Sequence, residues 1–337
     1  MTESGSGWAH GLSVAPMMDW TDRHCRVFHR MISRETRLYT EMITAPALVR
    51  GGARHLLSHD AREYPLTVQL GGADPAELAA ATRICAEEGF DEVNLNVGCP
   101  SDRVRSGCFG AVLMREPGLV ADCVAAMATA APGVRVTVKC RIGVDDQDPQ
   151  VALPAFLDTV AQAGVRHFVI HARKAWLQGL SPKENRDIPP LDHALVVQMK
   201  RRFPQLGIAI NGGITTLEQA RAFLSAGLDE VMVGRAAYHT PHDMLARADR
   251  EIFASEEAPV PDRAAIAARM KPYIARHLAQ GGRLHSVTRH MLGLFAGQPG
   301  ARGWRRILSE GAQAPGAGLE VLDAALACVT PRDAAAS

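Results

Sequence analysis

Eight short apolar runs alternate with helix-like patterns over roughly the first 245 residues, and no other feature of this chain restricts its fold more. The runs are Leu12–Ala15, Leu38–Thr40, Leu66–Leu70, Glu92–Asn96, Arg135–Cys140, His167–His171, Gly207–Ile210 and Glu230–Gly234. Each is brief and bounded by turn residues, as a buried strand is. The stretches Pro75–Glu88, Gly118–Ala130, Pro154–Ala163, Asp192–Phe203 and Leu217–Ala226 carry helical patterns, and Thr215 with Glu218 reads as a capping box for the last of them. Parallel strands need a crossover element between them, so eight strand–helix units predict a (β/α)8 TIM barrel. The rival, a doubly wound sheet, takes fewer strands and a Gly-rich first turn, which this chain lacks. A hydrophobic content of 47% with only 5% aromatic residues predicts an Ala/Val/Leu/Ile core of the kind α/β layers use.

Strand signals stop near Arg250. Pro259 and Pro261 mark a linker, and Asp262–Leu294 reads as helices. The chain is therefore expected to divide into a barrel domain over residues 1–250 and a smaller C-terminal α-helical domain over 251–337, with no readable motif after Glu310. No apolar run reaches the length of a membrane span, and Met1–His10 lacks the apolar core of a signal peptide, so a cytoplasmic protein that does not engage membranes is expected. The seven cysteines are scattered; Cys25, Cys85, Cys123 and Cys140 fall in apolar patterns and read as reduced core residues. Without a CxxC or HExxH pattern, no metal site is expected.

The net charge of +1 identifies no partner, but its distribution does. From Arg263 to Arg306 nine basic residues (Arg263, Arg269, Lys271, Arg276, Arg283, Arg289, Arg302, Arg305 and Arg306) occur without one Asp or Glu. A solvated helix face normally mixes both signs, so this segment points to an anionic partner; a merely soluble Arg-rich cap is the alternative.

Unusual polar residues cluster at the expected carboxyl ends of strands: Pro16-Met17-Met18-Asp19, Gln69, Asn96 with Cys99, Lys139 with Arg141, His171, Asn211-Gly212-Gly213 and Gly234-Arg235. A barrel whose upper rim collects such side chains is an enzyme far more often than a scaffold. Cys99 stands in a loop shaped by Gly98 and Pro100, which argues for a reactive placement over a packed core cysteine. The glycine motifs after the seventh and eighth strands suit phosphate. Beside an uncharged platform of Pro16, Met17 and Met18, a phosphate site fits a mononucleotide such as FMN. Lys139 then stands near the ring's pyrimidine edge as a fixed cation, and Gln69 offers it both a donor and an acceptor. A Schiff-base role for Lys139 and a core role for His171 remain as alternatives.

These residues resemble a known family, the tRNA-dihydrouridine synthases, and within it the A type. The matching segments are Ala15-Pro-Met-Met-Asp-Trp-Thr-Asp-Arg-His-Cys-Arg26, Gln69-Leu-Gly-Gly72, Asn94-Leu-Asn-Val-Gly-Cys-Pro-Ser-Asp-Arg-Val104, Lys139-Cys-Arg-Ile-Gly143, His171-Ala-Arg-Lys-Ala-Trp176, Gly179-Leu-Ser-Pro-Lys-Glu-Asn-Arg186, Asn211-Gly-Gly-Ile214 and Gly293-Leu-Phe-Ala-Gly-Gln-Pro-Gly-Ala-Arg-Gly-Trp-Arg-Arg306. Together they span about Gly11 to Glu310. The resemblance implies an FMN enzyme that reduces uridine to 5,6-dihydrouridine in the D-loop of tRNA, at positions 20 and 20a, with NADPH as reductant. It implies hydride transfer from flavin N5 to uracil C6 and a proton from Cys99 to C5. Flavin contacts fall on Pro16, Met17, Met18, Gln69, Lys139, His171, Asn211, Gly212, Gly213, Gly234 and Arg235. Asn96 and Arg141 match residues that hold the target uracil; Lys183, Arg186, Arg302 and Arg305 lie in segments that fit the tRNA backbone. Cys108 matches no position that requires a thiol. A monomer is expected. The competing readings are a small-molecule FMN dehydrogenase of the dihydroorotate or dihydropyrimidine kind, which has no need of the acid-free basic segment, and a non-catalytic tRNA-binding protein, which has no need of the rim residues.

Overall fold

The structure, a computed structural model, describes residues 11–100, 109–255 and 257–329. All eight anticipated strands form: β1 (Gly11–Val14), β2 (Leu38–Thr44), β3 (Leu66–Gly71), β4 (Glu92–Val97), β5 (Arg135–Arg141), β6 (His167–His171), β7 (Gly207–Asn211) and β8 (Glu230–Val233). They make one parallel sheet in the order β1-β8-β7-β6-β5-β4-β3-β2. Its two ends meet: the Val14 N–H donates to the Arg37 carbonyl at 2.9 Å, and the Arg37 N–H to the Leu12 carbonyl at 3.1 Å. The eight strands thus curl into a TIM-barrel-like arrangement.

Helices α1 (Arg23–Arg30), α2 (Pro75–Glu87), α3 (Pro117–Ala130), α4 (Pro149–Gln162), α5 (His193–Arg202) and α6 (Leu217–Ser225) follow β1, β3, β4, β5, β6 and β7, and the short α7 (Arg235–His239) leaves β8. Two helix starts differ from expectation. The capping box of α6 is Thr216 with Gln219, one residue beyond Thr215 and Glu218. Thr215 gives its N–H to the Gln219 side chain, and Glu218 pairs with Arg247. Helix α4 begins at Pro149 behind an Asp148 cap, so Pro154 lies inside the helix and does not open it. At the sixth position of the helix Pro154 has no N–H to give to the Gln150 carbonyl, so α4 forgoes one intrahelical bond there.

The strands alternate in a way that governs everything at the site. Val136, Val138 and Cys140 of β5, and Val93, Leu95 and Val97 of β4, join the main apolar core. Their neighbours face the barrel interior, as bonds between strands two apart demonstrate: Lys139 of β5 donates to Asn211 of β7 at 3.1 Å, and His167 of β6 meets Glu230 of β8 at 3.0 Å. The lower interior is ionic. Glu230 and His167 are both fully buried; Ser13 donates to Glu230; Glu92, also fully buried, lies 3.6 Å from Arg37 and 3.4 Å from Arg135. Burial opposes charge on His167, but the hydrogen bond and charge of Glu230 outweigh it and raise its pKa above the usual value. Glu92 and Glu230 open their strands, a place where a carboxylate reads as solvated.

Beyond β8 the described chain is helical: α8 (Arg263–Ala279), α9 (Leu284–Thr288), α10 (Ala301–Gly311) and α11 (Leu319–Leu326). Trp304 of α10 is fully buried, and its indole N–H donates to the Met291 carbonyl at 3.0 Å. Cys25, Cys85, Cys123 and Cys140 are buried and in no disulfide, as expected, and burial pushes the thiols of Cys85, Cys123 and Cys140 up to about 12. No helix among the described residues is long and apolar enough to cross a membrane.

Candidate active site

The carboxyl ends of the strands surround a cavity of about 470 Å³. It collects nearly every residue singled out at the rim: Pro16, Met17 and Met18 after β1, Gln69 on β3, Asn96 on β4, Cys99 after it, Lys139 and Arg141 on β5, His171 on β6, Asn211, Gly212 and Gly213 at the end of β7, and Gly234 and Arg235 after β8. Arg186 joins them from the loop after β6. Lys183 does not line the cavity, nor do Arg302 and Arg305; all three are exposed.

Each wall is built locally. After β1 the chain folds over itself: the Met17 carbonyl accepts from the Trp20 and Thr21 N–H groups at 3.1 and 2.9 Å, and the Thr21 hydroxyl oxygen accepts from the Met17 N–H at 2.9 Å. That turn sets Met17 against the cavity and leaves Met18 55% exposed at its edge.

The Cys99 loop is pinned by Asn96. Its Oδ1 accepts from the N–H groups of Gly98 and Cys99 at 3.1 and 3.0 Å, and its Nδ2 donates to Gln69 Oε1 at 2.8 Å. Gln69 Nε2 in turn donates to Asn94 Oδ1 at 2.8 Å. Asn96 and Gln69 therefore spend much of their hydrogen-bonding capacity inside the protein, and each keeps one amide N–H for a ligand. The Arg141 Nε donates to the Gly98 carbonyl at 3.0 Å, which fixes the far side of the same loop. Cys99 is half-buried and lines the cavity. Residues 101–108, Cys108 among them, lie outside the described residues.

The electrostatics are one-sided. Lys139, Arg141, Arg186 and Arg235 line the cavity, and no carboxylate does among the described residues. Burial, with Arg141 beside it, brings the Lys139 ammonium down to about 8. Burial and the surrounding cations, Arg141 and Lys139 first, drive His171 well below its usual value, so its ring is neutral. His171 Nδ1 is buried without a hydrogen-bond partner among the described residues. The glycines at the end of β7 leave room that a side chain would take. Gly212 has φ +108°, and a Cβ there would come within 3.2 Å of His171; at Gly213, φ +74°, it would come within 2.4 Å of Leu191.

Trp20, Met42, Ile214 and Thr215, to which the sequence assigned no part in the site, also line the cavity. Trp20 stacks on Tyr238 of α7 with ring centroids 4.4 Å apart. Its signal was its place in the loop that carries Met17 and Met18.

The wall after β1 is also tied to the C-terminal helices. Asp22 caps α1, accepting from the His24 and Cys25 N–H groups, and its other oxygen accepts from Arg289 at 2.6 Å and His290 at 3.0 Å. Burial opposes charge on Asp22, but His290 and the cap hold the carboxyl well below its usual range. Arg289 is thus a structural cation. Arg263 pairs with Asp243 at 2.6 Å and Lys271 with Asp323 at 2.5 Å. The basic segment is therefore partly neutralised from outside itself. Arg269, Arg276, Arg283, Arg302, Arg305 and Arg306 are exposed and form no ion pair among the described residues.

Comparison with known proteins agrees with this geometry. A solved old yellow enzyme homologue from Zymomonas mobilis shares the fold at a TM-score of 0.50 and 13% identity, over 75% of this chain and 90% of that one. The tRNA-dihydrouridine(20/20a) synthase of Vibrio cholerae is 56% identical over 317 residues, covering 94% of this chain and 95% of its own length. The protein of the same name from Escherichia coli K12 is 54% identical over 326 residues, covering 96% and 93%. The family model for dihydrouridine synthase matches residues 13–330. This chain belongs to the dihydrouridine synthase family.

Proposed function

We propose that this protein reduces uridine to 5,6-dihydrouridine at positions 20 and 20a of the tRNA D-loop, using FMN and NADPH, with Cys99 as the proton donor. The observation that carries the reading is the cavity itself: among the described residues its lining has four cations, no carboxylate and one thiol around an apolar floor that includes Met17, Met42 and Met232. A flat, anionic, hydrogen-bonding ring system fits such a lining, with side-chain-free backbone at Gly212 and Gly213 and the unmatched His171 Nδ1 as further support. Bound there, FMN supplies the hydride that uracil C6 receives.

The protein's own residues do the rest. Lys139 presents a cation to the ring edge. Asn96 and Arg141 keep the Cys99 loop in one conformation, and their remaining N–H groups face charge that develops on the uracil oxygen as C6 is reduced. Cys99 gives its Sγ–H proton to C5. The target base lies in folded RNA and must be extruded into the cavity. The body over residues 1–250 acts as the catalytic domain and the helices over 251–337 as a tRNA-binding domain, in a cytoplasmic monomer.

Flavin binding is expected to depend on pH through Lys139. The bound anion favours the charged lysine, so affinity is full below about pH 8 and declines as pH rises through that value. Fluorescence titration of FMN from about pH 7 to 9 checks this, and Lys139→Met should remove the dependence. Affinity of the unaltered protein that stays flat over that range contradicts the assignment.

Arg302, Arg305 and Arg306 project from one face of α10 while Trp304 faces inward. Converting Arg302 and Arg305 to Glu should weaken tRNA binding at least tenfold at moderate salt and flatten its salt dependence. Equal binding at matched salt removes α10 from the interface. Turnover tests the reading as a whole. With NADPH, unmodified tRNA should reoxidise the flavin and gain dihydrouridine at positions 20 and 20a, while free uridine should not. Rapid turnover of free uridine or orotate would favour a small-molecule dehydrogenase.

A further inference from the structure

Trp176 is 43% exposed, although a tryptophan ordinarily buries most of its surface. Its two described counterparts are engaged: Trp20 stacks on Tyr238, and Trp304 is fully buried against Phe295. Trp176 meets no other ring among the described residues, only the Lys174 ammonium at 5.4 Å from its centroid.

The exposed ring stands on a rigid base. The fully buried Asn185 accepts from the Trp176 N–H at 2.7 Å and donates to the Trp176 carbonyl at 2.9 Å. On either side, the Ala175 N–H donates to the Gly143 carbonyl at 3.0 Å, and the Leu177 N–H to Asp145 Oδ1 at 2.7 Å. Arg141, on the cavity wall, donates to the Lys174 and Asn185 carbonyls, both at 3.0 Å. The loop that displays Trp176 is thereby bolted to the cavity, and its Pro182 and Arg186 form part of the cavity lining. A backbone held from both sides presents the indole outward at little further entropic cost to a partner.

We propose that Trp176 is a base-stacking platform, with Lys174 beside it, for a nucleotide flanking the one drawn into the cavity. The inference rests on the tRNA reading above. The local charge favours RNA: Arg173, Lys174, Lys183 and Arg186 share this loop, while its three acids are engaged, Glu184 with the Ser181 N–H, Asp187 with Arg235 and Asp192 with the Leu195 N–H. A pinned aromatic ring receives an unstacked base without reading its sequence. The neighbour of an extruded uridine has lost one stacking partner, which the indole would replace.

The test is equilibrium binding of an unmodified tRNA transcript to the full-length protein over a range of salt. Trp176→Ala should weaken binding about tenfold, the loss of one base–aromatic stack, with the salt slope unchanged because no phosphate contact is removed. Trp176→Phe should recover most of the affinity. A transcript abasic at the nucleotide flanking the target should bind the native protein as weakly as the intact transcript binds the Ala variant, and combining the two changes should add little. Native-like binding by the Ala variant, a Phe variant as weak as Ala, or a loss with a changed salt slope each overturns the platform. If the unaltered protein itself binds tRNA weakly and without salt dependence, the parent reading fails instead.

Discussion

The Cys99→Ala protein should bind FMN and accept electrons from NADPH like the native enzyme, yet be reoxidised by tRNA roughly 10²–10⁴-fold more slowly, the range a positioned general acid contributes. The substitution is clean because the loop is held through backbone groups. Asn96 grips the Gly98 and Cys99 N–H groups, Arg141 grips the Gly98 carbonyl, and the Ala111 N–H donates to the Cys99 carbonyl at 2.9 Å. None of these bonds involves the sulfur, so the Ala variant keeps all of them. Stopped-flow absorbance of the prereduced flavin mixed with tRNA separates the two half-reactions. Reoxidation of the Ala variant at the native rate eliminates the thiol as proton donor. Asn96→Ala, by contrast, should slow reoxidation through misplacement of an intact Cys99.

The second large effect lies at the other end of the barrel. Glu230→Ala should cost about 3–5 kcal/mol, because it leaves His167 and Ser13 buried without their partner. Replacing Glu230 and His167 together with apolar residues of similar volume should recover much of that loss, since the desolvation of both charges is relieved. The pair also gives stability a pH signature. The folded-state pKa of His167 is raised, so its contribution is fully present below the unfolded value of about 6.5 and is lost as pH climbs through the folded value. Urea midpoints measured on both sides of that window, for the native protein and for Glu230→Gln, should show the native protein losing more stability with rising pH. Parallel curves for the two proteins contradict the ion-pair assignment.

These two sites differ in how legible they are in the chain. All eight strands could be read from short apolar runs, and the cavity residues from one rule, that polar groups at the carboxyl ends of barrel strands mark chemistry. Lys139, His171 and Asn211 each stand out because a strand tolerates them only beside a partner or a cavity. The ionic lower interior had no such signal. Glu92 and Glu230 are the first residues of their strands, and their partners come from elsewhere in the barrel, Arg37 from just before β2 and His167 from the start of β6. Only closure of the sheet brings them together, and one-dimensional patterning carries no trace of that. The basic segment was legible as composition but not as surface, since Arg263, Lys271 and Arg289 find carboxylates in or beyond distant elements. Trp20 was visible in its loop, but its stacking on Tyr238 depends on how α7 leaves β8. The capping box of α6 was misplaced by one residue because Thr215 and Thr216 both satisfy the pattern, and it is Thr216, extended in backbone, whose side chain accepts from the Gln219 N–H.

Mapping dihydrouridine in tRNA from cells that contain or lack this protein tests the central claim most directly. Cells without it should lose the modification at positions 20 and 20a alone, regain it with the native gene, and fail to regain it with the Cys99→Ala form. Full modification at those positions in cells lacking the protein, or restoration by the Cys99→Ala form, would contradict the account.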